Sequence, residues 1–548
     1  MTTTVAEAVG RALASLGVRQ VFGVVGSGNF HVTNTLVAGG ARFVAARHEG
    51  GAVTMADAYA RVSGEVGVVT VHQGPGLTNA MTGLTEAAKS RTPLVVLAAE
   101  ATSPDSNFYV DQPALATAVG ARSARTTSAG TAVAEAVAAF RTARDDRRTV
   151  VLNLPLEVQA AMTGATDVPE DPEPPRAPAP DPATVDALAD LIAESRRPVF
   201  VAGRGARAPH ARDALVDLAA DCGALLATSA VAKGLFHGHP WSLDVSGGFA
   251  SPLAAELISG ADLVVGWGCA LNMWTMRHGT LIGPDAMVAQ VDLDDDALGA
   301  NRPLDVGVVG DVAAVAAAAR AVLHERGHRA EGSRTVDVAQ RLHAELRWRD
   351  VPYDDETGDG LIDPRTLTIA LDDLLPAERI IGIDSGNFMG WPAMFLSVPD
   401  ENGMCFTQAF QSIGLGLSTT IGAALARPDR LPVAALGDGG GLMSIAELDT
   451  VVRLRLPMVV VFYNDAAYGA EVHHFGSGSD PLDTVTFPEA DIAAIGRGFG
   501  CDAVTVRDPA DLHGVREWLD GPRDRPLVVD AKVTRGHGSW WLEEAFGH

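Results

Sequence analysis

The 548-residue sequence predicts an α/β protein built of three doubly wound parallel-sheet domains. Three observations carry that expectation. Strand-length apolar runs alternate with helix-like stretches, the pattern of parallel sheets covered by helices. A proline-rich, charged segment, VPEDPEPPRAPAPDP at residues 168–182, cannot continue that pattern and reads as a semi-extended connector. The length suits about three units of ~150 residues each. A second, weaker boundary falls at residues 331–362, where polar stretches flank a short helix-like run. The expected order is therefore a first domain at 1–167, a linker at 168–182, a middle domain at 183–330, a linker at 331–362 and a last domain at 363–548.

Each element has a local reason. Residues 1–18 read as an amphipathic helix of the first domain; they lack the basic region and apolar block of a leader, so a cytoplasmic location is expected. Gly26-x-Gly28 hints at a dinucleotide turn, but His31 stands where the third glycine of that fingerprint belongs, and the reading is set aside. Glu49, after Arg47-His48, suits an early helical turn, where the helix dipole favours an acid. RPVFVAGRG, ADLVVGWG and AMVAQVDLD supply strands of a second sheet. Within it, Gly203-Arg204-Gly205 could approach a phosphate or simply pack.

The last domain says most about chemistry. Gly437-Asp438-Gly439 reads as a turn after the strand Leu431–Leu436, and Tyr463-Asn464-Asp465 closes the next strand. Asp438 and Asp465, 27 residues apart, should leave a parallel sheet at the same edge, where open α/β sheets bind ligands. Hard carboxylate oxygens there suit Mg²⁺, with diphosphate and water oxygens completing its shell. The glycines let backbone N–H groups approach a diphosphate.

Composition narrows the classes. With 42 basic against 68 acidic residues, the net charge of −26 argues against nucleic acid as a partner. No apolar run reaches the 18 residues of a membrane span, so no membrane partner is expected. Cys222, Cys269, Cys405 and Cys501 are scattered without ligand-like spacing and are expected to be reduced and structural.

The GDG turn followed by Asn464-Asp465 resembles the thiamin-diphosphate signature of the acetolactate synthase, benzoylformate decarboxylase and pyruvate decarboxylase superfamily, although that family carries Asn-Asn at the second position. The resemblance covers almost the whole chain. It implies pyrimidine-binding, middle and diphosphate-binding domains, in that order. It also implies that Asp438, Asp465 and the carbonyl of Ala467 ligate Mg²⁺. Gly437, Gly439, Gly440, Tyr468, Gly469 and Ala470 then line the diphosphate, joined by Ser385, Gly386 and Asn387 from IIGIDSGN. Glu49 corresponds to the glutamate that bonds the aminopyrimidine ring and favours its imino tautomer. Gln411 and Ile413 fall in the segment whose apolar side chain wedges between the two cofactor rings.

The same resemblance gives a mixed substrate site. Ser27 matches a carboxylate-binding serine of benzoylformate decarboxylase, and His72, with Gln73 beside it, an active-site histidine of that enzyme; its second histidine is unmatched, since His278 is displaced. Gln112 matches the acetolactate synthase glutamine region, and Glu471 a catalytic glutamate of pyruvate decarboxylase. FAD in the middle domain is possible but not favoured, because the family's arginine after the glycine-rich strand is replaced by GCALNMWTMRHG. The expected activity is decarboxylation of a 2-oxo acid, its remainder protonated to an aldehyde or ligated to a second carbonyl. An acetolactate-synthase-type acyloin synthase and a catalytically weak thiamin-diphosphate-binding paralogue stand as alternatives. A homodimer or homotetramer is implied, because the family brings the glutamate of one subunit to the cofactor of another.

Overall fold

The computed structural model describes residues 3–165, 167, 168, 173, 175–476 and 478–545; linker positions 169–172 and 174 lie outside the described residues. Three six-stranded sheets, parallel throughout, form three α/β domains. In the first, the strands lie in the order Arg42–Ala45, Gln20–Gly23, Gly67–Val71, Leu94–Glu100, Thr149–Pro155, Arg122–Arg125. The last sheet runs Met404–Phe406, Arg379–Ile383, Leu431–Gly437, Val459–Asn464, Leu527–Lys532, Asp502–Val506. Numbered within each domain, both orders are 2-1-3-4-6-5. The middle sheet differs, running 3-2-1-4-5-6 from Ser242–Val245 to Val306–Val309. The outer domains thus share a topology that no sequence repeat announces.

In both outer sheets the strand order reverses between the first and third strands, and the crevice beyond their carboxyl ends is where such sheets take ligands. One crevice lies beyond Gly23 and Val71, the other beyond Ile383 and Gly437. These two places contain most of the sequence-predicted site residues.

The outer domains meet through equivalent helices, Glu49–Ser63 and Gly416–Ala426. A Cβ added at Gly422 would fall 2.1 Å from the Met55 carbonyl oxygen, so this crossing tolerates only glycine. A buried ionic cluster flanks it. Arg61 donates to Asp57, Glu86, Ser90 and the Phe406 carbonyl, while Glu86 accepts the N–H groups of Ala409 (3.0 Å) and Phe410 (2.6 Å). The middle domain joins the same cluster: Arg204 donates to the Ser90 carbonyl, and Arg207 to the Arg61 carbonyl (3.2 Å) and to Asn402 Oδ1 (2.8 Å).

The four cysteines are free and buried. The second linker contains the helix Val336–Glu345. Among the described residues, no helix is long and apolar enough to cross a membrane.

Candidate functional site

In the last domain, Gly437 pairs with Tyr463 across adjacent parallel strands, so the residues that follow them leave the sheet at one edge. The expected turn at 437–439 is tighter than the sequence suggested: the strand runs through Gly437 and a helix begins at Asp438. Asp438 and Asp465 come close enough for their carboxyls to share a hydrogen bond. Burial raises the pKa of Asp438. For Asp465, burial and then the negative charge of Asp438 push it well above the ordinary carboxylate range.

The backbone after the second carboxyl turns sharply. Asn464 turns its amide into the sheet, donating to Asp530 Oδ1 (2.9 Å) while its own oxygen accepts the Ala466 N–H (3.2 Å). Ala466 is held at φ 52°, a left-handed conformation that costs a non-glycine residue about 1–2 kcal/mol. The Ala467 N–H donates to Asp465 Oδ1 (3.1 Å), and its carbonyl lies 3.9 Å from where a Gly439 Cβ would be. Two neighbouring carboxyls are hard oxygen donors of the kind that fits Mg²⁺, and the reluctance of Asp465 to ionise beside Asp438 is what a divalent cation would relieve.

Glycines clear the floor beside it. A side chain at Gly439 would strike the Tyr468 ring at 2.7 Å, and one at Gly469 would strike Asp465 Oδ2 at 2.4 Å. Ser385, Gly386, Ile413 and Ala470 are half-buried around this crevice, and Gln411 is exposed in a left-handed conformation (φ 60°). Asn387 has a different engagement: its side-chain oxygen accepts the Ser539 N–H (2.8 Å) and its carbonyl accepts from Ser539 Oγ (2.6 Å) and Trp541 Nε1 (3.3 Å). The tail is thereby pinned down, with Trp540 over Arg277 of the middle domain. Glu471, on the short helix Gly469–Phe475, is exposed.

The crevice of the first domain holds Ser27, Glu49, His72, Gln73 and Gln112. Glu49 is the first residue of its helix, is 9% exposed, and accepts from Asn79 Nδ2 at 3.1 Å. Gly28 N–H donates to His72 Nδ1 at 3.3 Å, which puts the proton of the neutral ring on Nε2. Burial lowers the His72 pKa, with Glu49 near enough to oppose it. A Cβ at Gly26 would meet the His72 ring at 2.7 Å, so the glycine is what lets the imidazole lie there.

Gln73 Oε1 is buried without a hydrogen-bond partner. Gln112, 1% exposed, is fully engaged, donating to Asn153 Oδ1 (2.9 Å) and accepting from Gly74 N–H (3.4 Å). It braces the turn before the helix Pro75–Lys89. Ser27 is exposed.

Three residues not picked out by sequence reasoning complete the picture. Asn79 fixes the Glu49 carboxyl. Glu447, 2% exposed, reaches from the last domain to accept the N–H groups of Arg47 (2.9 Å) and His48 (3.1 Å), immediately before Glu49. Asp384, fully buried, accepts the N–H groups of Ser385, Gly414 and Leu415. The sequence offers only their positions: Asn79 lies in GPGLTNAM at residues 74–81, Glu447 nine residues beyond Asp438, and Asp384 just before Ser385 in IIGIDSGN.

Three doubly wound domains in this order, with an acidic pair among glycine turns at one switch point and a buried glutamate at the other, define a thiamine-diphosphate-binding protein. The chain belongs to the thiamine pyrophosphate enzyme family, the two cofactor names being synonyms. Residues 3–119 match the N-terminal TPP binding domain, 185–319 the central domain and 384–531 the C-terminal TPP binding domain. Among similar proteins, the probable 2-ketoarginine decarboxylase AruI of Pseudomonas aeruginosa is 31% identical, over 94% of this chain and 91% of its own. The acetolactate synthase large subunit of Parasynechococcus marenigrum is 28% identical over 98% and 89%. A sulfoacetaldehyde acetyltransferase of Rhodobacter capsulatus is 28% identical over 100% and 97%.

Proposed function

We propose that the protein is a Mg²⁺- and thiamine-diphosphate-dependent enzyme that removes CO₂ from a 2-oxo acid and either releases the remainder as an aldehyde or joins it to a second carbonyl. The observation that carries this reading is the neutral His72 beside Glu49, its Nε2–H directed by the Gly28 bond to Nδ1. The relatives support it from two sides, one named for decarboxylation and one for acetolactate synthesis. When bound, the cofactor supplies a carbanion at its thiazolium C2 and accepts the electrons left by CO₂.

The residues divide the remaining work. Asp438, Asp465 and the Ala467 carbonyl would hold Mg²⁺, and the glycine turns at 386 and 437–440 would present N–H groups to the diphosphate. Glu49 exchanges a proton with an aminopyrimidine ring nitrogen, held in place by Asn79. His72 would donate a hydrogen bond from Nε2 to a substrate carboxylate or carbonyl oxygen, and Ser27 a second one. Gln112 contributes through the turn it braces rather than by meeting substrate, which weighs against the acetolactate-synthase-type reading. The arginines of the Gly203–Arg207 turn are committed to docking the middle domain, so FAD is not part of the proposal.

A second copy of the chain completes the site. Val25, Phe30 and Phe108 at the first crevice and Phe410, Leu442 and Met443 at the other are large apolar side chains left exposed. Rims of this kind call for a partner, and closed two-fold assemblies are the common solution. Light scattering should give a dimer or tetramer. A monomer that stays fully active on dilution overturns this assembly.

Incubation with Mg²⁺, thiamine diphosphate and a panel of 2-oxo acids, with and without an aldehyde acceptor, tests the reaction. CO₂ accompanied by aldehyde or 2-hydroxy ketone is expected, and release of no CO₂ from any acid sinks the proposal. His72→Ala and Glu471→Gln should slow aldehyde release more than CO₂ loss, by about 10²-fold if proton transfer is impaired. The share of 2-hydroxy ketone should rise with it. An unchanged product ratio in both variants places these residues away from the reacting carbon.

A further inference from the structure

We propose that Asp384 is a positioning residue that sets the Gln411–Gly414 loop, and with it the Ile413 side chain, against the diphosphate-facing turns. The inference rests on the cofactor site proposed above and adds a residue to it.

Asp384 directly follows the strand Arg379–Ile383, at the switch point of the last sheet, and is 0% exposed. No ion-pair partner for it occurs among the described residues. Its carboxylate is balanced by backbone N–H groups alone. Oδ1 accepts from Ser385 (2.8 Å), Gly414 (2.9 Å) and Leu415 (3.2 Å), and Oδ2 lies 3.0 Å from the Gly414 nitrogen. The last two donors lie just before the helix Gly416–Ala426, where N–H groups are otherwise unpaired.

Two glycines make room for this carboxylate, and a third lets the loop turn. A Cβ on Gly440 would lie 2.5 Å from Asp384 Oδ2, and one on Gly416 would lie 2.5 Å from the Asp384 Cβ. Gly414 sits at φ 89°, which a side chain resists. Three chain segments therefore converge on one buried carboxylate: the turn at 384–387, the loop carrying Ile413, and the GDGG turn carrying Asp438. A group that only stabilised the fold could sit anywhere in this sheet. This one ties the loop bearing the apolar wedge directly to two turns assigned to the diphosphate, so its geometry fixes where the wedge stands relative to the anion.

Asparagine in its place keeps the volume, and its oxygen can stay at the Oδ1 position, but it puts an N–H₂ group where Oδ2 faced the Gly414 N–H and removes the negative charge that the three donors share. Asp384→Asn should keep its far-ultraviolet circular dichroism and its oligomeric state. Loss of bonds from a charged acceptor should weaken thiamine diphosphate binding, titrated by tryptophan fluorescence with Mg²⁺ present, by about tenfold or more. Turnover at saturating cofactor should fall as well. That second loss separates positioning from bulk stability, because a variant that is merely less stable recovers full turnover once saturated.

Gly414→Ala displaces the same loop from the other side without touching the carboxylate, and should reproduce both losses if Asp384→Asn does not fold. Folded variants with wild-type affinity and wild-type turnover overturn the inference, as does turnover that recovers completely at saturation. Wild-type protein that takes up no thiamine diphosphate overturns the cofactor site itself, and this inference with it; the wild-type titration distinguishes the two failures.

Discussion

Glu49→Gln is expected to fold, to bind thiamine diphosphate and Mg²⁺, and to lose about 10²–10⁴-fold in turnover. The geometry explains why binding survives. Glu49 contributes one side chain at a helix start, and the glutamine amide can still accept from Asn79 Nδ2 and fill the same volume. The proton is another matter. A carboxyl can pass a proton to an aminopyrimidine ring nitrogen and take it back, whereas an amide cannot. Its surroundings are arranged to hold that carboxyl still: the two preceding N–H groups are fixed by Glu447, and the following turn is capped by His48, whose ring accepts the Gly50 N–H at 3.0 Å. The check is paired, with cofactor affinity by fluorescence titration and turnover at saturation. Wild-type turnover in the glutamine variant removes Glu49 from the chemistry.

Asp438→Ala should abolish cofactor binding, a loss of more than about 10²-fold in affinity, while Asp465→Asn should retain Mg²⁺-dependent activity. The difference follows from position. Asp438 is 5% exposed at the helix start between Gly437 and Gly439, and alanine leaves no side-chain oxygen there for a cation. Asparagine at 465 keeps a side-chain oxygen and removes the carboxyl whose ionisation burial and the charge of Asp438 oppose. Treatment with a chelator should reproduce the Asp438→Ala loss in the wild-type protein. Returning Mg²⁺ with thiamine diphosphate should then raise its melting temperature, since a ligand that binds only the folded state stabilises it. If Asp465→Asn is as inactive as Asp438→Ala, the second carboxylate has a task that ligation does not describe.

The fold class was legible because strand–helix alternation is a local signal, and the main motifs were legible because their spacing follows from two neighbouring strands ending at one edge. Strand order was not. That the first and last domains share 2-1-3-4-6-5 depends on which distant strands pair, and nothing in either segment encodes it. Gln112 was expected at the substrate from its motif; its bond to Asn153, 41 positions away, is a long-range contact that the local sequence does not carry. Asp384 and Glu447 escaped because a lone acid in an α/β turn looks solvated until its N–H partners are seen. The same holds for Arg204 and Arg207, whose partners lie in other domains. The GDG turn became a helix start because Gly437 is drawn into the sheet by Tyr463.

The crossing of Glu49–Ser63 with Gly416–Ala426 also bears on how the chain is made. The face of the first helix that carries Met55 has no cover of its own; it is closed by residues translated more than 350 positions later. Until then the first domain emerges with an apolar helix face, the Arg61–Asp57–Glu86 cluster open on one side, and the N–H groups of Arg47 and His48 without their carboxylate. Segments in that state associate wrongly and need protection while synthesis continues. A fragment ending near residue 165 should therefore be less soluble than the full chain. The late-arriving helix, more than the local sequence around Glu49, decides when the first crevice acquires its final shape.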